Sequence, residues 1–484
     1  MIGPDLARRA IDAALAAGAS YADIRLVRQE GESVTVKNGA VEALASSVDE
    51  GVGIRVIADG AWGFACTASR EVRELEETAR QAVRIARASA QARREPVELS
   101  ELAPARAKWS SQFKIDPFEV PLEEKIGLLK EADAAMRRFP QVRVAEGKLI
   151  FLREEKWFLS SEGAEIEQHR TESGGVISAT AVEGEEVQER SFPATLEGFH
   201  AARGWEVVEE LDLAAHAEQT AQEACDLLTA PLCPPDEVDL IIEGSQMALQ
   251  IHESCGHPTE LDRVFGTERS YAGTSFLTPD KLGHFRYGAE IVNINADATL
   301  PTGLGTFGYD DEGVPAQRVD LVKQGSFCGY QSSRETAHQL GQKSGGMMRA
   351  ESWNRLPLIR MTNINLDPGD WSLEEMIKDT KHGVYAATTK SWSIDDLRLN
   401  FQFATQAAWE IRDGSLGRLF KNTTYQGVTP DFWGSCDAIG NEREWKLWGV
   451  LNCGKGEPGQ AMHVGHGTAP ARFRKVKVGI IAED

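Results

Sequence analysis

The proline cluster Pro231-Leu232-Cys233-Pro234-Pro235 restricts the folds open to this chain more than any other segment. Proline fixes φ and has no backbone N–H to donate, so three prolines within five residues interrupt helices and central strands and stiffen the connection. The chain has 484 residues, which leaves enough length on each side for a hydrophobic core. We therefore predict two domains, at residues 1–230 and 236–484.

Before the cluster, the spacing of apolar residues changes repeatedly between the helical and the strand period. The helical period predicts helices over residues 4–17, 71–90, 122–139 and 211–228. Period-two alternation predicts strands on both sides of the Asn38-Gly39 turn, over residues 51–65, and between residues 142 and 191. These patterns predict a two-layer α/β domain with helices on an antiparallel sheet.

After the cluster, the sequence consists mostly of short strand patterns separated by turns such as Asp367-Pro368-Gly369 and Asp413-Gly414. Only two or three short helices are expected there. The second domain is therefore predicted to be β-rich, and the whole chain to belong to the α+β class.

The charge of the chain excludes some partners. With 52 Lys and Arg residues against 74 Asp and Glu residues, the net charge is −22. Such a charge repels nucleic-acid phosphates and anionic lipid head groups, and the sequence contains no basic patch that would offset it. No segment approaches the roughly 20 apolar residues of a membrane span. We therefore predict no nucleic-acid partner and no membrane partner.

The cysteines and the amino-terminal sequence indicate a compartment. The seven cysteines are odd in number and scattered, which is poor material for a disulfide framework and suits a reducing environment. The chain starts with Met1-Ile2-Gly3-Pro4-Asp5, and Arg8 and Arg9 interrupt any apolar run before it could form a signal peptide. The predicted location is the cytoplasm.

The segment His252-Glu253-Ser254-Cys255-Gly256-His257 is the main candidate for chemistry. A strand over residues 238–242 precedes it, Gly244-Ser245 can cap a helix, and the helix is expected to run from residue 246 to 255. On a regular helix, residues five apart lie about 140° apart, so both histidines can share a metal only if the helix ends or bulges between them. Gly256 and Pro258 predict an end, which makes His257 the first non-helical residue.

The residues alone leave the ligand set open. His252 and Cys255 are three apart and therefore share a helix face, which makes them a rival pair of metal ligands. Alternatively, both are ordinary core residues. A metal needs a third protein ligand. The further candidates are Cys453 on a predicted glycine-rich turn, Cys436, and the predicted surface-loop residues His463 and His466.

The chain resembles the TldD/PmbA family, specifically its TldD-type metallopeptidase branch. The resemblance covers essentially the whole chain and rests on the HExxxH segment together with 310–315 (DDEGVP), 360–363 (RMTN) and 452–456 (NCGKG). It implies that His252, His257 and Cys453 bind zinc and that Glu253 activates the water that attacks a peptide bond. It also implies an enclosed dimer that acts on short or unfolded peptides, with an identical partner or a motif-lacking paralogue.

The sequence also allows functions other than peptidase activity. A non-catalytic peptide-binding or stabilising subunit with a vestigial metal site is the alternative, but such a subunit would be expected to lack one of the four site residues. A role in DNA topology, suggested by an older family label, conflicts with the charge of −22.

The carboxylates Asp310, Asp311 and Glu312 predict a solvated or turn-forming loop, whereas the resemblance implies that they help to shape the cleft. The glycine patterns at 303–308 and 449–455 lack the helix that a nucleotide-binding loop requires.

Overall fold

The computed structural model describes residues 4–195 and 197–479. Two terminal segments lie outside the described residues. They are residues 1–3, at the start of the sequence that predicts no signal peptide, and residues 480–484, at the end of the second predicted domain. The predicted α+β class is confirmed. Among the described residues, none of the helices combines the length and the apolarity needed to cross a bilayer.

The first half of the chain forms one eight-stranded sheet covered by helices. Its helices are α1 (Pro4–Ala16), α2 (Val72–Ala90), α3 (Leu122–Met136), α4 (Glu206–Leu211) and α5 (Leu213–Thr229). Its strands are β1 (Tyr21–Lys37), β2 (Ala40–Ala58), β3 (Ala61–Thr67), β4 (Arg106–Ser110), β5 (Val142–Ser160), β6 (Glu165–Glu183), β7 (Glu186–Phe192) and β8 (Phe199–Ala201). The strand order is β3-β2-β1-β5-β6-β4, with β7 and β8 also paired to β6. All neighbours are antiparallel except β4 and β6, which run parallel.

The two faces of this sheet have different neighbours. Ile24 and Val36, at even positions of β1, lie in the two hydrophobic cores formed with the helices. Asp23 and Arg25, at odd positions, are also buried. Because side chains alternate along a strand, these charged residues face away from the helices. Arg25 Nη2 donates a hydrogen bond of 2.5 Å to the backbone oxygen of Arg355, so this face packs on the second half of the chain.

The second half contains many short elements. Its helices are α6 (Gly244–Ile251), α7 (Leu261–Val264), α8 (Arg334–Gln339), α9 (Leu373–Asp379) and α10 (Thr429–Gly434). Its strands are β9 (Asp236–Ile242), β10 (Ile294–Asp297), β11 (Arg318–Lys323), β12 (Ser326–Phe327), β13 (Met348–Arg349), β14 (Leu358–Ile359), β15 (Asn363–Leu366), β16 (His382–Ile394), β17 (Asn400–Arg412), β18 (Ser415–Val428), β19 (Cys436–Ile439), β20 (Lys446–Lys455), β21 (Gln460–Thr468) and β22 (Ala471–Val478). The expectation of two or three helices was wrong, because helices of 4 to 7 residues, such as α7 and α9, are too short to show a periodic pattern.

Two six-stranded sheets organise these strands. One has the order β12-β11-β10-β15-β21-β20, and the other has the order β18-β17-β16-β9-β22-β19. In the second sheet β18 also pairs with β22, so five of its strands close on themselves. Helix α6 contacts β16 of one sheet and both β20 and β21 of the other. The helix therefore lies between the sheets, and all its residues are buried.

Candidate metal centre

Helix α6 carries the first candidate ligand and begins directly after β9. Its N-cap is Glu243, whose side chain accepts hydrogen bonds from the backbone N–H groups of Ser245 and Gln246 at 2.8 and 3.3 Å. The predicted cap at Gly244-Ser245 was therefore displaced by one residue. An acidic cap at this end of a helix also interacts favourably with the helix dipole.

The two histidines are joined by a single π-helical turn over His252–Gly256. The backbone N–H of His257 donates to the backbone oxygen of His252, five residues earlier, so the wider turn places His257 over His252. Their ring centroids lie 4.8 Å apart. His257 has helical dihedrals (φ −62°, ψ −45°) and opens a 3₁₀ turn that includes Pro258. The predicted helix end at Gly256 was therefore wrong, and a bulge brings the histidines together instead.

Side chains from elsewhere in the chain stabilise this turn. A π turn leaves backbone oxygens without their usual helical partners. Tyr287 Oη donates to the oxygen of Ser254 at 2.8 Å, and Gln331 Nε2 donates to the oxygen of Gly256 at 2.6 Å. A Cβ at Gly256 would lie 2.4 Å from the Sδ of the buried Met361, so a larger residue would force this side chain to shift.

The third candidate ligand reaches the histidines from the edge of the neighbouring sheet. Cys453 lies in β20, next to a β-bulge that shifts the register with β21 between Val450 and Cys453. Its Sγ is 3.9 Å from Nε2 of His257. The ligand atoms of His252, His257 and Cys453 all lie within 4.8 Å of one another, and the three residues are buried. The predicted tight turn at Cys453 was wrong, since a bulged strand positions the thiol.

Each imidazole uses its other ring nitrogen for a second contact. His257 Nδ1 lies 2.9 Å from the Glu260 carboxylate, and His252 Nδ1 lies 2.8 Å from Nε2 of His466. These contacts leave Nε2 of each ring for a ligand role and fix the orientation of the rings, as is typical of metal-binding histidines. Lys455 Nζ lies 3.4 Å from Glu260 and completes a buried chain of polar groups behind His257.

The pKa shifts of Cys453 and His257, but not that of His252, favour the protonation state that a metal ligand requires. Burial acts to raise the pKa of the Cys453 thiol, but His252, Arg360 and His257 outweigh it and hold that pKa well below the usual range. Burial lowers the pKa of His257 well below its ordinary value. Burial also acts to lower the pKa of His252, but the neighbouring Cys453 and Glu253 outweigh it and raise that pKa. A thiolate and a neutral imidazole are the forms in which these side chains bind a metal.

The other candidate ligands do not belong to the group of converging ligand atoms. Cys255 is in the hydrophobic core, and burial raises the pKa of its thiol, as it does for the equally buried Cys436. His463 and His466 are on strand β21, so the predicted surface loop was wrong. Nδ1 of His463 lies 2.5 Å from Glu172, whereas His466 is fully buried behind His252.

Glu253 lines a cavity of about 320 Å³, and the three candidate ligands line it as well. Its carboxylate accepts a hydrogen bond from Arg398 Nη1. Trp392 and Trp448 contribute aromatic surface to the cavity wall. The cavity thus brings one carboxylate, one guanidinium and three potential metal ligands to the same space.

The acidic loop at 310–312 is buried, so the prediction of a solvated loop was wrong. The prediction of a turn was correct, because the Asp310 carboxylate accepts hydrogen bonds from the backbone N–H groups of Glu312, Val314 and Met348 at 2.9, 2.9 and 3.0 Å. Burial and the neighbouring charge of Glu312 raise the pKa of Asp310.

The other two carboxylates of this loop are paired with cations of the first half of the chain. Asp311 lies 2.7 Å from Lys156 Nζ and 3.5 Å from Arg25 Nη1. Glu312 lies 3.3 Å from Arg55 Nη1. The loop therefore joins the eight-stranded sheet to the second half of the chain, and none of these contacts involves a candidate metal ligand.

Sequence reasoning missed Glu260, Lys455 and Arg398, and it considered His466 only as a metal ligand and not as the partner of His252. Glu260 follows His257 by three positions, a spacing that puts a carboxylate beside a histidine in helical backbone and could have identified it. The other three approach from distant strands and loops, and no local pattern marks them. A glutamate beside two histidines and a cysteine at the wall of a cavity is an arrangement typical of metal-dependent hydrolases.

Comparisons with known proteins agree with this class. Family models described as PmbA/TldA metallopeptidase domain 1, central domain and C-terminal domain match residues 22–86, 115–230 and 235–480. The chain therefore belongs to the TldD/PmbA family of metallopeptidases. These matches confirm the resemblance to the TldD/PmbA family, and the protein is an enzyme of the metallopeptidase type.

Several relatives align over nearly their whole length. A metalloprotease of Methanocaldococcus jannaschii is 30% identical over 451 residues, which cover 92% of this chain and 94% of the relative. A zinc metalloprotease TldD homolog of Saccharolobus solfataricus is 26% identical over 465 residues, covering 96% and 97%. The crystal structure of TldE from Thermococcus kodakarensis has a similar fold, with a TM-score of 0.74 at 18% identity, covering 98% of this chain and 100% of that one.

Proposed function

We propose that this metallopeptidase is zinc-dependent, with His252, His257 and Cys453 as the metal ligands and Glu253 as the general base. The observation that carries the proposal is the convergence of the three ligand atoms within 4.8 Å in a buried site. Two nitrogens and a thiolate with an open position suit zinc in a catalytic site. The contacts of His252 with His466 and of His257 with Glu260 support the same assignment.

A zinc ion held by these residues supplies Lewis acidity toward a water molecule and a peptide carbonyl. Glu253 accepts a proton from the attacking water as its oxygen bonds to the carbonyl carbon. When the C–N bond breaks, Glu253 returns that proton to the leaving amine, so the carboxylate is regenerated. Arg398 Nη1 donates a hydrogen bond to the same carboxylate and orients it.

The cavity favours short or unfolded peptides as substrates. Its volume of about 320 Å³ accommodates a few residues of an extended chain but not a folded domain.

We further propose that the protein forms a homodimer, or a heterodimer with a motif-lacking paralogue, that encloses this cavity. Gel filtration that shows a fully active monomer would contradict the enclosed dimer. The cytoplasm remains the proposed location, in keeping with seven free cysteines.

The alternative is a non-catalytic peptide-binding or stabilising subunit of a TldD/PmbA-type complex. It is not favoured, because all four residues expected of a catalytic subunit are present. The related proteins are also named as metalloproteases.

The test combines metal analysis with cleavage of an unstructured, internally quenched peptide. Glu253→Gln should retain about one equivalent of zinc and lose at least a hundredfold in kcat, since general-base catalysis typically contributes 10²–10⁴-fold. Cys453→Ala should lose the zinc, whereas Cys436→Ala, which removes an equally buried thiol of the same half, should retain both zinc and activity. Full activity of Glu253→Gln, or full zinc content of Cys453→Ala, would refute the proposal.

A further inference from the structure

Arg398 is the one residue with a positive charge among the described residues that line the catalytic cavity, and Glu253 is the one carboxylate. The guanidinium comes from the loop between β16 and β17, and its side chain is 15% exposed. The guanidinium is paired with Glu253, which keeps a largely buried positive charge next to the proposed base.

The backbone of the loop is fixed in an unfavourable conformation at this residue. Arg398 has φ +63°, in the left-handed region that side-chain-bearing residues rarely adopt. The Arg398 N–H donates to the Asp395 oxygen at 2.9 Å, and Thr429 Oγ1 donates to the Arg398 oxygen at 3.0 Å. The Asp395 carboxylate accepts from the N–H of Leu399 at 2.8 Å. A strained backbone held by several hydrogen bonds is typical of functional positions.

Most of the donors of Arg398 are free. Nη1 donates to Glu253 Oε2, Nε is buried without a partner, and Nη2 makes no hydrogen bond with a described residue. The carboxylate of Asp395 does not compete for them, because it is occupied by the N–H groups of Leu399 and Asn400. The terminal nitrogens of the guanidinium therefore have unused N–H groups next to the proposed base.

We propose that Arg398 is a further catalytic residue, whose free N–H groups bind the carbonyl oxygen of the scissile peptide bond. This inference rests on the proposed function. As the water oxygen bonds to the carbonyl carbon, an electron pair moves onto the carbonyl oxygen, and the guanidinium stabilises that charge. The pair returns as the C–N bond breaks, and the amine takes the proton carried by Glu253. Arg398 stays protonated throughout.

The position of the guanidinium favours the carbonyl oxygen over a terminal carboxylate of the substrate. The base and the attacked carbonyl contact the same water, so the carbonyl must lie within a few ångströms of Glu253, which Arg398 already contacts. A terminal carboxylate lies farther away by at least one residue, roughly 3.5 Å along an extended chain. Recognition of a terminal carboxylate is the competing outcome of the test.

The test compares Arg398→Gln and Arg398→Lys with wild type on one quenched peptide that carries either a free or an amidated C-terminus. Arg398→Gln should keep its zinc and lose 10²–10³-fold in kcat with both peptides, with little change in KM. The affinity for a phosphinic analogue of the peptide, which mimics the charged transition state, should fall by a similar factor. Arg398→Lys keeps the positive charge but lacks the planar, forked guanidinium, so its kcat should lie between those of wild type and Arg398→Gln.

Arg418→Gln is the matched control, because it removes another arginine–glutamate pair, with Glu410, that does not line the cavity. It should leave activity unchanged. A loss confined to the free-acid peptide and expressed in KM would overturn the proposal in favour of carboxylate recognition. A loss of kcat without loss of affinity for the phosphinic analogue would overturn it in favour of positioning of Glu253 alone. If Glu253→Gln is fully active, the proposed function itself fails, whatever Arg398 does.

Discussion

The contact behind His257 yields a quantitative prediction about metal affinity. Glu260 accepts a hydrogen bond from the Nδ1 side of His257 at 2.9 Å, and both residues are buried. Glu260→Gln keeps the size of the side chain and removes its negative charge. The ring of His257 then loses a charge-assisted hydrogen bond that orients it and increases the basicity of its other nitrogen.

The expected magnitude follows from the burial of this contact. A hydrogen bond to a charged group contributes about 1.5–3 kcal/mol, and 1.4 kcal/mol corresponds to a factor of ten. The zinc dissociation constant should therefore rise about 10–100-fold, which also matches the usual effect of removing such supporting carboxylates. Lys455 remains paired in the variant, because its Nζ also lies 2.8 Å from Asp262. We therefore expect the fold to persist.

The affinity can be measured by competition with a chromophoric chelator at constant pH. Asp262→Asn is the matched control, because Asp262 contacts Lys455 but makes no hydrogen bond with His257. It should change the zinc dissociation constant by less than about threefold. If Glu260→Gln also stays within threefold of wild type, or if the two variants weaken binding equally, the assigned role of the carboxylate is wrong.

Two predictions concern stability. Gly256→Ala places a Cβ 2.4 Å from the Met361 Sδ, so the free energy of unfolding in urea should fall by about 1–3 kcal/mol, the usual cost of overpacking. For Glu172, burial raises the pKa, but Arg170 and His463 outweigh it and lower that pKa to about 2. Because this lies below the unfolded value of about 4.3, the carboxylate stabilises the fold above that pH and loses the effect on acidification. The stability difference between wild type and Glu172→Gln should shrink by about 2 kcal/mol from pH 6 to pH 3 in zinc-free protein.

Each of these predictions has a contrary result. Gly434→Ala is the control for the glycine variant, because no described atom lies within 4 Å of a Cβ built there. An equal loss of stability in both glycine variants would show that crowding at Met361 is not the cause. For Glu172→Gln, a stability difference that does not depend on pH would contradict the lowered pKa of this carboxylate.

The architecture of the first half was predictable because its signals are local. Helix α2 (Val72–Ala90) begins one residue later than predicted, and α3 ends at Met136, three residues earlier. The Asn38-Gly39 turn connects β1 and β2 as expected, with Gly39 at φ +83°. Periodicity and turn chemistry depend on neighbouring residues, so they can be read without knowledge of tertiary contacts.

The geometry of the metal centre depends on contacts that no local pattern shows. The spacing of His252 and His257 required an end or a bulge of the helix, and the choice depends on Tyr287 and Gln331, which satisfy the freed backbone oxygens. Likewise, the glycines around Cys453 indicated a turn, whereas pairing with β21 makes this segment a bulged strand. Tertiary interactions therefore decided both outcomes.

The burial of the acidic loop at 310–312 also depends on contacts that the local sequence does not show. Three adjacent carboxylates predict exposure when they are considered alone. Asp311 and Glu312 are nevertheless buried, because their counter-ions Lys156, Arg25 and Arg55 come from strands more than 150 positions away in the sequence. Sequence patterning cannot pair charges over that distance.

These ion pairs have a consequence for engineering the protein. The proline cluster is the obvious place to cut the chain or to exchange halves between homologues. A chimera whose first half lacked Arg25 and Arg55 would bury Asp311 and Glu312 without these partners, and breaking a buried ion pair typically costs 3–5 kcal/mol. A chimera should therefore fold only if the donor of the first half supplies arginines at both positions.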